Sequence, residues 1–95
     1  MHVISRKKLK EASSRHADLE GRLDVWFRIT KKATWKSLVD VRKTFSNADV
    51  VGKWTVFNIK GNQYRLIAEI NCLFGRVYIR HVLTHAEYDR GGWKQ

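Results

Sequence analysis

The fold is decided by residues 53–83, which read KWTVFNIKGNQYRLIAEINCLFGRVYIRHVL. Three segments rich in β-branched and aromatic residues lie within this stretch, at 53–60, 63–72 and 76–83. Such a composition is typical of strands, and the GN and FG pairs between the segments are typical of tight turns. The stretch therefore predicts a three-stranded antiparallel meander.

The first half of the chain has a helical period instead. Residues 6–16 predict a short basic helix, and apolar positions recur at helical spacing within residues 18–33. A third helix is predicted within residues 35–45, with Ser37 as its N-cap, and a short first strand at residues 2–5. Helices of this kind pack on one face of a small, mostly antiparallel sheet, which makes the fold class α+β.

Length, composition and charge limit the number of domains, the kinds of partner and the cellular location that we expect. The 95 residues contain no proline, repeat or linker, which predicts a single domain over residues 1–95. Nineteen Lys and Arg against nine Asp and Glu give a net charge of +10, which favours a polyanionic partner such as a nucleic acid. No apolar run approaches the roughly 20 residues of a membrane span, and the N-terminus has no apolar signal region. Cys72 is the one cysteine, which excludes an internal disulfide, so we expect a cytoplasmic protein without membrane contact.

Alternation along the three strands predicts which side chains share a face of the sheet. One face is expected to be apolar and covered by the helices, and His81 and Leu83 fall on this side. The opposite face is expected to concentrate the polar and cationic side chains of the strands, namely Asn58, Lys60, Arg65, Asn71, Tyr78 and Arg80.

The chain turns from strand to helix at the end of the third strand. Thr84 and Glu87 have the spacing of a capping box, so a short C-terminal helix is expected to begin at His85. Its positive end and free amides would lie beside Arg80, a setting that favours phosphate. His85 and Tyr88 are three residues apart and therefore share one flank of this helix.

These residue types suit the cleavage of RNA, because an RNA strand carries its own nucleophile, the 2′-hydroxyl. Cleavage requires that the hydroxyl proton be removed, that the charge on the phosphorane be stabilised, and that the leaving 5′-oxygen be protonated. Arg65 and Arg80 suit the phosphate oxygens, because a guanidinium group can bind them through two hydrogen bonds. Lys60, His85 and Tyr88 are the candidates for proton transfer. No metal or other cofactor is required.

Each of these residues also has an ordinary structural explanation. The two arginines could be solvated strand residues, and Tyr88 could pack the last helix against the sheet. Asn58 and Asn71 could bond only to backbone near the strand ends. Trp93 lies in a GGWKQ tail that we expect to be mobile unless the indole stacks on a base or a partner.

The motifs VFNIKGNQYRLIAEIN and VYIRHVLTHAEYD resemble the HigB toxins of bacterial type II toxin–antitoxin systems, within the RelE and ParE superfamily. The resemblance extends over nearly the whole chain and implies a RelE-like fold. It implies an endoribonuclease that cuts mRNA engaged on the ribosome. It also implies a HigA-like antitoxin, a helix-turn-helix protein that neutralises the toxin, so that operator DNA is contacted only through the antitoxin.

The resemblance assigns roles by position. Lys60 falls where these toxins keep a strand lysine near the attacking hydroxyl, and Arg65 and Arg80 match their phosphate-clamping arginines. His85 and Tyr88 match the C-terminal positions for acid–base chemistry and base stacking. The candidate RNA-binding residues are Asn58, Asn62, Asn71 and Tyr78.

Two departures leave the identity of the general base open. RelE-like sites often carry several lysines on the first strand of the meander, whereas here only Lys60 has the right parity. Glu69 also places a carboxylate on the face assigned to RNA, where it could pair with a neighbouring arginine. Two alternatives to a nuclease remain at this stage: a ParE-like poison that binds DNA gyrase, and a non-catalytic RNA-binding protein.

Overall fold

The strands and helices follow the predicted order. The structure is a computed structural model and describes residues 1–94. These residues form five strands, four α-helices and two short 3₁₀ helices, and none of the helices is both long and apolar enough to span a membrane. Their bounds in chain order are β1 His2–Ile4, α1 Lys7–Arg15, a 3₁₀ helix Ala17–Leu19, α2 Glu20–Lys32, α3 Leu38–Thr44, β2 Asp49–Val51, β3 Trp54–Ile59, β4 Tyr64–Asn71, β5 Arg76–Thr84, α4 His85–Arg90 and a 3₁₀ helix Gly92–Lys94.

The strands form one sheet in the order β1-β5-β4-β3-β2. The predicted meander is its centre, where β4 pairs antiparallel with both β3 and β5. The predicted first strand pairs with β5 in parallel. The edge strand β2 was missed because its three residues, DVV, are too few to show an alternating pattern. The α+β class, with helices on a mostly antiparallel sheet and a short C-terminal helix, is confirmed.

Helices α1, α2 and α3 cover one face of the sheet and build the main core with it. Trp26 of α2 meets Phe57 of β3 edge to face, with ring centres 5.4 Å apart. Leu66 of β4 and Ile79 of β5 are fully buried beside them. Each such side chain stabilises the fold by about 1.5–3 kcal/mol relative to an exposed position. The helix-covered face is therefore apolar, as predicted.

Two helix starts differ in detail from the prediction. The helix expected within residues 18–33 is preceded by the 3₁₀ turn Ala17–Leu19, which carries Asp18. Ser37 does occupy the N-cap position of α3, but its side chain makes no capping hydrogen bond. The carboxylate of Asp40 accepts a hydrogen bond from the backbone amide of Lys36 instead, at 2.9 Å.

A β-bulge interrupts the regular pairing of β4 with β5. Ile67 lies opposite His81. The next residue of β4, Ala68, lies opposite Ile79. Arg80 is therefore an extra residue, without a partner across the ladder. Because an extra residue shifts the two-residue period by one, the side chains beyond a bulge exchange faces.

The bulge corrects the predicted placement of three side chains. His81 and Leu83 were expected on the helix-covered face, but they lie on the opposite one, which is called the second face below. Val82, expected on the second face, is buried in the main core instead. Alternation in the sequence could not reveal these positions, because it assumes a strand without an inserted residue.

A smaller apolar cluster covers part of the second face. Its buried members are Val56, Ile67 and Trp93, and Trp93 retains only 5% of its exposure. The chain reaches this position by turning at Gly91, whose φ of 75° lies in the left-handed region that glycine adopts without strain. The expectation of a mobile tail is therefore wrong as far as Lys94, since the tail packs back on the sheet.

Candidate functional site

Arg65 projects from β4 onto the second face and is the most buried charged residue that the structure describes, with 8% exposure. Its guanidinium donates hydrogen bonds to the backbone oxygens of Asn62 at 3.1 Å and Tyr64 at 3.2 Å, and to the side-chain oxygen of Asn62. All of these acceptors are neutral. Within residues 1–94 no carboxylate forms an ion pair with Arg65. The positive charge of Arg65 is therefore held in place without being neutralised, which is unusual because buried charged side chains are mostly paired.

Tyr88 of α4 lies directly beside this arginine. The guanidinium carbon of Arg65 is 5.3 Å from the centre of the Tyr88 ring, within the range of a cation–π contact. The ring of Tyr88 also stacks on Trp93, with centres 5.1 Å apart and planes 14° from parallel. Its hydroxyl has no hydrogen-bond partner among the described residues. The ring is thus fixed by its neighbours while the phenol oxygen stays available.

The start of α4 is fixed by the predicted capping box, which is confirmed. The side chain of Thr84 accepts a hydrogen bond from the backbone amide of Glu87 at 3.2 Å, and Glu87 accepts one from the amide of Thr84 at 2.9 Å. The bond from the backbone of Thr84 is the main cause that lowers the pKa of Glu87. The amide of His85 donates to the carbonyl of Gln63 at 2.9 Å, which ties the helix start to the turn between β3 and β4.

The expected phosphate contact through free amides of this helix is not supported. The amides of His85 and Glu87 are already bonded within the protein. The helix has only six residues, and few aligned peptide dipoles act at its start. An anion here depends on side chains instead.

His85 and Asp89 form a pair on the exposed flank of α4. The Nδ1 atom of His85 lies 2.9 Å from the Asp89 carboxylate, one helical turn away. A carboxylate in this position favours the tautomer that carries its proton on Nδ1, in which Nε2 is an acceptor.

Arg80 lies on the same face but is already engaged. Its Nε atom donates to the carboxylate of Glu69 at 3.0 Å, and its guanidinium carbon lies 5.1 Å from the centre of the Tyr78 ring. Lys53 approaches the same carboxylate at 3.9 Å. Glu69 is thus the ion partner of a neighbouring arginine, as the sequence suggested. Any phosphate bound by Arg80 has to compete with Glu69.

The two arginines flank Ile67 along β4. Arg65 reaches back to Asn62 and the turn, whereas Arg80, at the bulge beside Ile67, reaches the other way to Glu69. Glu69 is four residues beyond Arg65, about 13 Å along the strand at 3.3 Å per residue. The two guanidinium groups therefore extend in opposite directions along one face.

Lys60 does not join this site. It lies just past the end of β3 with a φ of 53°, and this turned backbone directs its side chain to the helix side. There its Nζ atom pairs with Asp18 at 2.8 Å, and the hydroxyl of Tyr64 donates to the same carboxylate at 3.1 Å. The hydrogen bond from Lys60 is the main cause that lowers the pKa of Asp18. The pKa of Tyr64 is raised, mainly by burial and next by its hydrogen bond to Asp18. The predicted placement of Lys60 on the second face is wrong, because parity applies only while the chain remains extended.

The candidate RNA-binding residues divide into two kinds. Asn62 holds Arg65, and the side-chain oxygen of Asn71 accepts a hydrogen bond from the amide of Phe74 in the next turn at 3.1 Å. These two asparagines thus bond within the protein. Asn58 is exposed and lies directly opposite Arg65, so its amide is accessible beside the buried cation.

His81 was missed as a member of this face, because the bulge that brings it there has no sequence signature. Partial burial lowers the pKa of its imidazole, and the nearby charges of Lys8 and Arg80 act in the same direction. The imidazole is therefore held in its neutral form near Arg80. Trp93 was missed as well, because a tryptophan near a chain end gives no indication of where it packs.

The basic charge of the protein is not confined to the second face. Exposed lysines and arginines also line the two longest helices, and they are Lys7, Lys8, Lys10, Arg15, Arg22, Arg28, Lys31 and Lys32. A polyanion can thus meet positive charge on both sides of the molecule.

Comparison with known proteins identifies the family of this chain. The family model HigB_toxin, described as the RelE-like toxic component of a toxin–antitoxin system, matches residues 19–91. The mRNA interferase HigB of Escherichia coli O6:H1 (strain CFT073) is 31% identical over 93 residues, which cover 95% of this chain and 90% of the relative. The mRNA interferase toxin HigB of Escherichia coli (strain K12) and the mRNA interferase HigB of Shigella flexneri are each 32% identical over 92 residues, which cover 94% of this chain and 88% of the relative. The chain with the arginine-bearing second face described above therefore belongs to the HigB toxin family, the RelE-like toxic components of toxin–antitoxin systems.

Proposed function

We propose that this toxin is a ribosome-dependent mRNA interferase, an endoribonuclease that cleaves translated mRNA without a metal ion and so arrests translation and growth. Membership of a toxin–antitoxin family implies an antitoxin partner, which we propose is a HigA-like DNA-binding protein. The names of its relatives support mRNA as the substrate. The partners in the reaction are then the ribosome and its mRNA.

The observation that carries this proposal is the environment of Arg65. Its charge is buried and held by neutral oxygens of Asn62 and Tyr64, with no described carboxylate in an ion pair with it. A fixed guanidinium of this kind suits the charge that develops on a phosphorane, because its position costs no reorganisation during the reaction. Groups so placed typically contribute a factor of ~10²–10³ to the rate.

The proton transfers are assigned to α4. With the Nδ1 proton held by Asp89, His85 can accept the 2′-hydroxyl proton at Nε2. The 2′-oxygen then bonds to phosphorus as the bond to the 5′-oxygen breaks. The free phenol of Tyr88 donates its proton to that leaving oxygen, which gives a 2′,3′-cyclic phosphate and a 5′-hydroxyl end. The 2′-hydroxyl supplies the nucleophile, so the scheme needs no metal-bound water.

Arg80 and Asn58 extend the site along the RNA. We assign Arg80 to a neighbouring phosphate, which it binds by exchanging part of its contact with Glu69. Asn58 and Tyr78 lie on the same face and are assigned to the sugar and the bases. Lys60 receives no role in the chemistry, because its ammonium is paired with Asp18 on the helix side.

Ribosome dependence is supported by the charge on the helices. The exposed lysines and arginines of α2 lie on the helix-covered side of the sheet, whereas Arg65 and Tyr88 lie on the second face. A second basic surface suits a second, larger polyanion, and ribosomal RNA is the one that accompanies translated mRNA. Reversing two of these charges, Lys31→Glu with Lys32→Glu, is expected to weaken cleavage on ribosomes.

The test is cleavage of one mRNA by purified toxin, free or on programmed ribosomes, with ends mapped by primer extension. We expect cuts within the translated region only when ribosomes are present, and we expect them to persist when a chelator selective for transition metals is added at the magnesium level that keeps the ribosome assembled. Tyr88→Phe should abolish the cuts, whereas Tyr64→Phe, which removes a phenol on the helix side, should leave them. Equal cutting of free mRNA would contradict ribosome dependence. Intact mRNA with DNA damage signalling in expressing cells would favour a gyrase poison.

A further inference from the structure

We propose that Trp93 is a positioning residue of the site: its indole fixes the plane of the Tyr88 ring beside Arg65, so that the phenol oxygen is correctly aimed. The inference rests on the proposed function, in which Tyr88 supplies the proton to the leaving oxygen. It assigns a catalytic contribution to a segment that was expected to be mobile unless its indole stacked on a base or a partner.

The contacts between Trp93 and Tyr88 are of two kinds. The rings stack with centres 5.1 Å apart and planes 14° from parallel. The indole nitrogen of Trp93 also donates to the backbone carbonyl of Tyr88 at 2.9 Å. One side chain therefore restrains both the ring and the main chain of the same tyrosine.

Trp93 is itself held from the other side. It packs on Val56 and Ile67, and Trp54 meets it edge to face with ring centres 5.5 Å apart and planes 80° from parallel. The turn at Gly91 brings the chain back over the second face so that these contacts can form. A ring supported in this way by the sheet transmits the sheet's rigidity to Tyr88.

Helix α4 needs such support because it is short. It has six residues, none of them fully buried, and an isolated helix of this length is unstable in water. The capping box and the bond from His85 to Gln63 fix only its first turn. Tyr88 follows that turn, where Trp93 supplies the stacking partner and a further hydrogen bond.

The alternative is that Trp93 only shields Val56 and Ile67 from water. Two substitutions separate these roles. Trp93→Phe keeps a stacking ring and loses the indole donor, whereas Trp93→Leu keeps an apolar cover and loses the stack. If shielding is the only role, the two variants should behave alike once their stabilities are matched by choice of temperature.

The experiment measures kcat and KM for cleavage of ribosome-bound mRNA by wild type, both Trp93 variants and Tyr88→Phe, with thermal unfolding followed in parallel. We expect Trp93→Leu to lower kcat at least about tenfold with KM nearly unchanged, because misplacement of a catalytic group by about 1 Å can cost up to ~10²-fold. Trp93→Phe should stay within about threefold of wild type. Near-normal kcat for Trp93→Leu together with a large loss for Tyr88→Phe would overturn the inference and leave the proposed function standing. Full activity of Tyr88→Phe would refute the role assigned to Tyr88, and this inference with it, whereas no cleavage of mRNA by wild type would refute the proposed function itself.

Discussion

The guanidinium carbon of Arg65 lies 5.3 Å from the centre of the Tyr88 ring, and this contact joins the middle of the sheet to the last helix. We expect Arg65→Lys to lower the rate of cleavage ~10²–10³-fold, because an ammonium keeps the charge but cannot retain the forked geometry towards a phosphorane. Single-turnover cleavage on ribosomes is the measurement. Arg28→Lys, an exposed change on α2, serves as the matched control. A rate within threefold of wild type for Arg65→Lys would show that the fork is unnecessary.

Glu69 restrains Arg80, and removing its charge should therefore strengthen RNA binding. We expect Glu69→Gln to raise the affinity for a short single-stranded RNA about fivefold at moderate salt, since an exposed ion pair contributes up to about 1 kcal/mol and that competition is lost. The salt dependence of binding should also become steeper. Glu11→Gln changes the net charge equally on α1 and should have much less effect. Equal gains for both variants would indicate a general charge effect.

The capping box of α4 makes the helix sensitive to acid. Because the pKa of Glu87 is lowered from its ordinary value of 4.5, its contribution to stability is fully present above that value. The contribution is lost as the pH falls through the lowered pKa. We expect Glu87→Ala to reduce the free energy of unfolding by about 0.5–1 kcal/mol at pH 7, and by less at pH 3. Denaturant unfolding at the two pH values measures this, and an unchanged difference would exclude the carboxylate as the cause.

Lys60 should be dispensable for cleavage. A φ of 53° destabilises the folded state by roughly 1 kcal/mol at a non-glycine residue. The partly exposed ion pair of Lys60 with Asp18 stabilises the folded state by at most a similar amount. We therefore expect Lys60→Gly to leave the stability nearly unchanged and Lys60→Ala to lower it, because alanine keeps the strain and loses the pair. Cleavage by both variants, corrected for the folded fraction, should equal that of wild type. A loss of cleavage in the folded Lys60→Gly protein would return Lys60 to the catalytic set.

The sequence predicts the parts of this fold that depend on local patterns. The three central strands have enough residues for their composition and alternation to show, and the capping box needs only Thr84 and Glu87 three residues apart. Arg65 lies on the predicted face for the same reason, since β4 is extended from Tyr64 to Asn71, and Tyr88 lies on the short helix that the capping box predicts.

The errors arise where the chain departs from regular geometry. Lys60 follows the last extended residue of β3, so a single positive φ moves its side chain away from the predicted face. His81 follows the bulge, and Trp93 follows the left-handed turn at Gly91. In each case the favourable contact that stabilises the irregular backbone comes from a residue distant in sequence, such as Asp18 for Lys60. A local sequence pattern does not show which distant residue will make such a contact.

The extra residue at position 80 has a consequence for the architecture of the whole C-terminal quarter. Because the alternation of β5 is offset once, the strand contributes to both faces of the sheet. Its first half contributes Val77 and Ile79 to the main core, and its second half leads into α4 on the second face. Regular pairing of Arg80 with Ile67 would exchange the faces of every later side chain in the strand, because it would send Leu83 inward and Val82 outward. Deleting Arg80 would instead close the ladder with the observed partners and leave those side chains on their present faces. One unpaired position in the ladder therefore determines which strand and helix residues of this toxin meet on the second face.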